Sequence, residues 1–162
     1  MTETTTDDID QISEQWRKIG LETDFISLQL RLSKAIENKL AKLHARFDLK
    51  PGEFDVLAAL KRSNEDDLTP SQLYQTMLLS SGARTSRLDR LEQKRLIQRR
   101  HCKTDRRSIK VSLTSNGKKK IDNVYPAHFS LIEALLATLP DSEKKQLATL
   151  LRTSLTHIET YQ

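Results

Sequence analysis

Residues 68–117 constrain this chain most, because start and stop signals there lie too close together for anything but short elements in a fixed order. Thr69-Pro70-Ser71-Gln72 can open a helix: the Thr69 hydroxyl caps the backbone, Pro70 fits the first turn, and Gln72 completes a capping box. This helix carries Leu73, Tyr74 and Met77 and is expected to stop near Leu78. Ser80-Ser81-Gly82 then opens a second helix over about 83–94. In it Leu88 and Leu91 should face inward, with Arg84, Arg87 and Arg90 at three-residue spacing along one outer side. Two helices this short, with so tight a junction, form a helix-turn-helix. Two short strands follow, at about 96–101 and 108–113. In the second, Ile109, Val111 and Leu113 alternate with Ser108, Lys110 and Ser112, the period of a half-buried strand.

Charge singles out the same stretch. Residues 79–107 hold ten Arg or Lys against three Asp or Glu, a local net charge of +7, whereas the whole chain carries +5. Everything outside that segment therefore sums to −2. Part of the excess sits on the turn between the strands, His101-Cys102-Lys103-Thr104-Asp105-Arg106-Arg107. A helix has the width of a DNA major groove, and a basic hairpin beside it can reach the neighbouring minor groove. Basicity gathered onto a helix and a hairpin implies double-stranded DNA as the partner.

Elsewhere the pattern is helical. A long helical region spans about 11–47, in two pieces meeting near 20–24, and residues 1–10 are expected to be flexible. Ile26, Leu30, Ala35, Ile36, Leu40 and Leu43 form one apolar stripe along it. Asp48-Leu49-Lys50-Pro51-Gly52 is a break, with Pro51 suited to a first helical position, and a helix follows through Phe54, Val56, Leu57 and Leu60. Thr114 is a good cap for a helix over about 115–137, which Pro126 should kink or split. A last helix, from about 140, carries Leu147, Leu150, Leu151, Leu155 and Ile158 on one face. The terminal helices carry more apolar stripe than a small DNA-binding core can cover, which points most simply to a second copy of the chain as partner, the other reading being that they pack within the chain as a helical cap.

Several classes are excluded or unsupported. No stretch approaches the ~18 consecutive apolar residues of a membrane span. The acidic start Met1-Thr2-Glu3 lacks the pattern of a secretory signal, and a single cysteine, Cys102, fits a reducing cytoplasm. There is no phosphate-binding loop, no paired Cys or His at metal spacing, and no nucleophile with base and orienting group, so neither a cofactor nor an enzymatic activity is expected. Cys102 sits among Arg100, His101 and Lys103, whose positive field favours a thiolate, although a bland position in the turn explains it as well.

The chain resembles the MarR family of winged helix-turn-helix regulators. The resemblance rests on Ser86-Arg87-Leu88-Asp89-Arg90-Leu91-Glu92, Leu96-Ile97-Gln98-Arg99, Asp105-Arg106-Arg107, and Val111-Ser112-Leu113-Thr114 with Gly117. It implies a mostly α fold with a small β-hairpin wing: a winged helix-turn-helix core over about 50–114 and dimerisation helices over about 11–47 and 115–160, all one domain from 11 to 162. It also implies homodimers on a pseudo-palindromic operator, repression being the family's default. Where the family usually has Gly after the recognition helix this chain has Arg95. A non-Gly residue held in the left-handed conformation there costs about 1 kcal/mol, so either Arg95 adopts it or the helix ends differently.

In such a complex Ser81, Arg84, Thr85, Arg87 and Arg90 of the recognition helix would meet the DNA, with Arg106 and Arg107 entering the minor groove and Asp105 bracing the turn. Lys94, Arg95, Arg100 and Lys103 would touch phosphate, which positions without specifying. A nucleoid-type architectural protein of low sequence specificity is the alternative.

A narrower resemblance is to the family's urate-responsive branch. It is carried by Gln15-Trp16-Arg17, Phe54-Asp55-Val56-Leu57, Ser81-Gly82-Ala83 and Thr85-Ser86-Arg87, whereas the C-terminal third is more similar to multidrug-efflux regulators. It implies a site for a small aromatic or purine anion built from Trp16, Asp55, Arg87 and Arg99, an indole face with two guanidinium forks and a carboxylate. The other reading of these residues is structural: Trp16 packs, Asp55 pairs with an arginine, and Arg87 and Arg99 touch phosphate.

Overall fold

The computed structural model describes residues 6–18, 24–63, 65, 67–77, 84–101 and 109–161, except the side chains of 6–9, 12, 16, 24, 84 and 85. The chain divides into two compact units, Met1–Pro51 and Gly52–Gln162.

The first unit holds α1 (Thr6–Lys18) and α2 (Asp24–Ala45). α1 starts five residues ahead of the expected Gln11, so Thr6–Asp10 belongs to a helix. Asp7, Asp8 and Asp10 favour this, since acidic side chains suit the partly positive N-terminal turn. α2 ends in a left-handed residue, Asp48 at φ 54°. The Leu49 N–H reaches back to the His44 carbonyl at 3.0 Å and the Asp48 N–H to that of Ala45 at 3.0 Å, which satisfies carbonyls the helix end would orphan. Along α2, Phe25, Ile26, Leu28, Leu30 and Leu32 stand 43–68% exposed.

The second unit runs α3 (Glu53–Arg62), α4 (Pro70–Gln75), α5 (Arg84–Gln93), β1 (Ile97–His101), β2 (Ile109–Leu113), α6 (Ser115–Leu135) and α7 (Asp141–Thr160). α3 starts after Gly52, which caps it at φ 79°. Pro51 is therefore not its first residue, because the left-handed glycine intervenes. α4 has the full capping box: Gln72 N–H donates to the Thr69 hydroxyl at 3.2 Å and Thr69 N–H to Gln72 Oε1 at 2.9 Å. It closes at Gln75, ahead of the expected Leu78, where the Thr76 N–H bonds back to Gln72 and Leu73 and its hydroxyl donates to the Leu73 carbonyl. The strands pair antiparallel, Ile97 opposite Leu113 and Arg99 opposite Val111, and Leu68 adds an isolated bridge on the outer edge of Val111. Ile109, expected to face inward with Val111 and Leu113, is 38% exposed.

Leu57, Leu73, Leu91, Ile97, Val111 and Ile121 are buried to 2% exposure or less, and they draw α3 to α6 and the hairpin around one core. Burying each such side chain contributes about 1.5–3 kcal/mol. Phe54 of α3 stacks on His128 of α6 with ring centres 4.2 Å apart, Tyr125 meets Phe54 edge-on at 6.0 Å, and the Tyr125 hydroxyl donates to the Ala58 carbonyl at 3.3 Å.

The exit from α5 decides how the family's missing glycine is managed. Arg95 takes the left-handed conformation, φ 56°. The Leu96 N–H bonds to the Leu91 carbonyl at 2.9 Å and Arg95 N–H to that of Glu92 at 2.8 Å, the bond pair of a Schellman end. The Thr114 hydroxyl then donates to the Arg95 carbonyl at 2.7 Å while accepting the Gly117 N–H at 3.0 Å, so it caps α6 and ties it to the end of α5. Gly117 has no room for a side chain: a Cβ there would collide with the Leu96 carbonyl. α6 is not split at Pro126; both Pro126 and Asp122, whose carbonyl loses its helical donor, are exposed, so water can satisfy it.

Arg95→Gly is expected to raise stability by about 1 kcal/mol in urea unfolding, with an unchanged m-value. His128 gives a pH prediction. Burial lowers its pKa from the ordinary 6.5, so the unfolded chain takes the proton first as pH falls. Its contribution is intact above 6.5 and is lost as pH drops below that value toward the folded pKa. His128→Phe keeps the stack on Phe54 and should flatten this acid-side loss in melting scans.

Candidate nucleic-acid interface

α5 has two apolar residues to bury, Leu88 at 3% exposure and Leu91 at 0%. Two leucines fix which edge of a helix faces the core but leave its roll and tilt loosely set, and charged groups complete the placement. The Glu53 carboxylate, fully buried in the first turn of α3, receives Arg90 Nε on one oxygen and Lys94 Nζ on the other, both at 3.0 Å. Arg90 also donates from Nη1 to the Ser86 hydroxyl at 3.2 Å.

On its other flank α5 holds the hairpin. Arg99 of β1 places Nη2 2.7 Å from Asp89 Oδ1 and Nη1 3.5 Å from Glu92 Oε2, and its backbone N–H donates to Glu92 Oε1 at 3.2 Å. Lys110 of β2 lies 3.1 Å from Asp67 Oδ1, which pins the hairpin root to the segment before α4. These pairs are half exposed, and such pairs contribute about 0–1 kcal/mol each. Their weight is geometric.

Arg87 packs against Gly52, whose missing side chain is what admits it: a Cβ on Gly52 would run into Nε and Cζ of the guanidinium. One terminal nitrogen, Nη1, is buried without a hydrogen-bond partner among the described residues. Asp55 lies near. Burial pushes its carboxyl up from the ordinary 3.8, and the charges of Arg87 and Arg62 oppose that rise.

The expectation of Arg84, Arg87 and Arg90 along one outward side therefore fails for two of the three. Successive steps of three residues rotate 60° around a helix, so the stripe drifts: Arg87 turns to Gly52 and Arg90 to Glu53. Arg84 and Thr85 open α5, with side chains outside the described set. Ser81, Cys102, Lys103, Asp105, Arg106 and Arg107 lie outside the described residues. Arg95 and Arg100 are exposed, as phosphate-directed cations would be, and Arg100 also donates to Gln98 Oε1 at 3.0 Å. Of the anion set, Asp55 and Arg87 come together, Arg99 is committed to Asp89 and Glu92, and Trp16 lies in α1 of the other unit with its side chain outside the described set. Sequence reading missed Glu53, Asp89 and Glu92. The i,i+3 spacing of the last two within a basic run was the one available signal.

Among known proteins, a MarR family model matches residues 47–108. The HTH-type transcriptional regulator PecS of Dickeya dadantii is 32% identical over 150 residues, covering 89% of this chain and 90% of the relative. The chain belongs to the MarR family. The HTH-type transcriptional repressor YetL of Bacillus subtilis is 30% identical, over 78% of this chain and 75% of its own length. Among solved structures, AbsC, a MarR family regulator from Streptomyces coelicolor, superposes with a TM-score of 0.78 at 22% identity, over 86% of this chain and 95% of its own. A mutant MarR from E. coli complexed with operator DNA gives 0.74 at 23%, over 86% and 97%. At these identities the two structures speak for the fold, mostly helical with a two-stranded hairpin. No helix among the described residues is long and apolar enough to cross a membrane.

Gly52→Ala should destabilise this MarR-family chain by about 1–3 kcal/mol, through positive φ and the clash with Arg87. Gly52→Ala combined with Arg87→Ala should recover the clash part, so a double-mutant cycle is expected to be strongly non-additive.

Proposed function

We propose that this MarR-family regulator binds a specific double-stranded operator as a homodimer and represses transcription, in the cytoplasm and without enzymatic activity of its own. One observation carries the DNA-binding reading: the +7 charge of residues 79–107 falls on a capped helix-turn-helix followed by an antiparallel hairpin, in a chain 32% identical to a transcriptional regulator along nearly its whole length. Ser81, Arg84 and Thr85 meet bases or nearby phosphates from the start of α5, and Arg106 and Arg107 enter the minor groove with Asp105 bracing the turn. Arg95, Arg100 and Lys103 touch phosphate. Arg87 and Arg90, turned inward, are not base readers in this scheme.

Support for the dimer is the apolar surface left on α2 and α7, where Leu30, Leu150, Leu155 and Ile158 are 56–68% exposed. Such stripes on terminal helices suit a second copy related by two-fold symmetry, which would set two α5 helices about one helical turn of DNA apart. A small aromatic or purine anion is the proposed effector. Asp55 and the buried nitrogen of Arg87, which has no hydrogen-bond partner among the described residues, support it. Binding would act by shifting the population away from the DNA-competent dimer.

Selection from a random duplex pool should return a pseudo-palindromic site, and enrichment of no motif would favour the architectural alternative. On that site Arg84→Ala and Arg107→Ala are each expected to weaken binding by about 1–3 kcal/mol, with relaxed preference at the positions they read. Sedimentation should give a dimer. Calorimetric titration with urate and with aromatic carboxylates should show heat that Arg87→Ala abolishes.

A further inference from the structure

α5 brings its positive charge close to DNA, yet two of its cations are already spoken for. Each Glu53 oxygen takes one of them, Arg90 Nε and Lys94 Nζ, both at 3.0 Å. The carboxylate is wholly buried, while the two cations remain 30% and 24% exposed. Their side chains thus stand at the boundary between protein and solvent, held from behind by an anion that is already dehydrated and in place. A DNA phosphate is a competing anion for the same cations. To win either of them it must overcome an ion pair closed by a 3.0 Å hydrogen bond.

On the reading of this chain as a DNA-binding regulator, we infer that Glu53 is a positioning residue that limits sequence-blind affinity: it withholds Arg90 and Lys94 from DNA phosphate. Every phosphate neutralised by Lys or Arg adds affinity that is blind to sequence and steepens the fall of log binding constant against log salt by about 0.9. A recognition helix presenting Arg84, Arg90, Lys94 and Arg95 to any backbone would hold random duplex too firmly. Glu53 removes two of the four from that count. It acts through Arg90 and Lys94 and contacts no DNA itself.

The test measures salt dependence on a random-sequence duplex and on the selected operator, for the full-length protein and its variants. In E53Q the glutamine keeps the size and a hydrogen-bond acceptor but loses the charge. The random-duplex slope should steepen by about 0.9–1.8 per subunit, a loss on the order of tenfold more between about 50 and 200 mM salt. The operator slope should steepen by the same amount, leaving the operator-to-random ratio unchanged. R90Q and K94Q, made singly with Glu53 in place, should leave the slope unchanged, and the same changes in the E53Q background should remove the gain. A brace without this role would alter the melting temperature and leave the slopes alone. An unchanged slope in folded E53Q overturns the inference, as does a drop of about 0.9 in either single variant. If E53Q fails to fold, the two single variants decide. If the native chain ignores both duplexes at low salt, the DNA-binding reading fails, and the inference falls with it; a native chain that binds but shows no change in E53Q removes the inference alone.

Discussion

The placement of α5 rests on very little apolar surface. Among its described side chains only Leu88 and Leu91 enter the core, which amounts to about 3–6 kcal/mol of burial. A helix this short is unstable alone in water, so tertiary ties must form it as well as orient it. The ties are ionic and lie on both flanks: Glu53 from α3 on one side, Arg99 from β1 on the other. The excess of positive charge in this segment is therefore only partly an outward display. A share of it is structural, matched to buried or half-buried carboxylates that hold the helix and wing in register.

What could be read beforehand was local. Thr69 and Gln72 cap α4 because both partners of the box lie within one turn, and Thr114 caps α6 for the same reason. The alternation in β2 placed Val111 and Leu113 inward correctly. What could not be read was long-range. Glu53 meets Arg90 and Lys94 across 37 and 41 positions, and nothing in either segment names the other. Arg87 was misjudged for a related reason: the helical stripe gives its angle around α5, whereas the space that receives it exists because residue 52 has no side chain. The break at Asp48 to Gly52, by contrast, was legible, because Pro51 and Gly52 interrupt the helical pattern where the two units divide.

Arg95 shows how an element can keep a geometry while changing the residue that usually permits it. The Schellman bonds to Leu91 and Glu92 are both made, and Leu91 and Leu96 are both buried, so the helix end is over-determined. Strain of about 1 kcal/mol at one residue is small against that. The exposed guanidinium gained in exchange adds positive charge at the C-terminal exit of α5.

The node at Thr114 has a mechanical meaning. One hydroxyl joins the carbonyl of Arg95 to the amide of Gly117, and the Leu96 carbonyl leaves no clearance beside that glycine. The last turn of one helix and the first turn of a 21-residue one are thus riveted together with almost no play. Through that node a tilt of the first turn of α6 is passed directly to the last turn of α5.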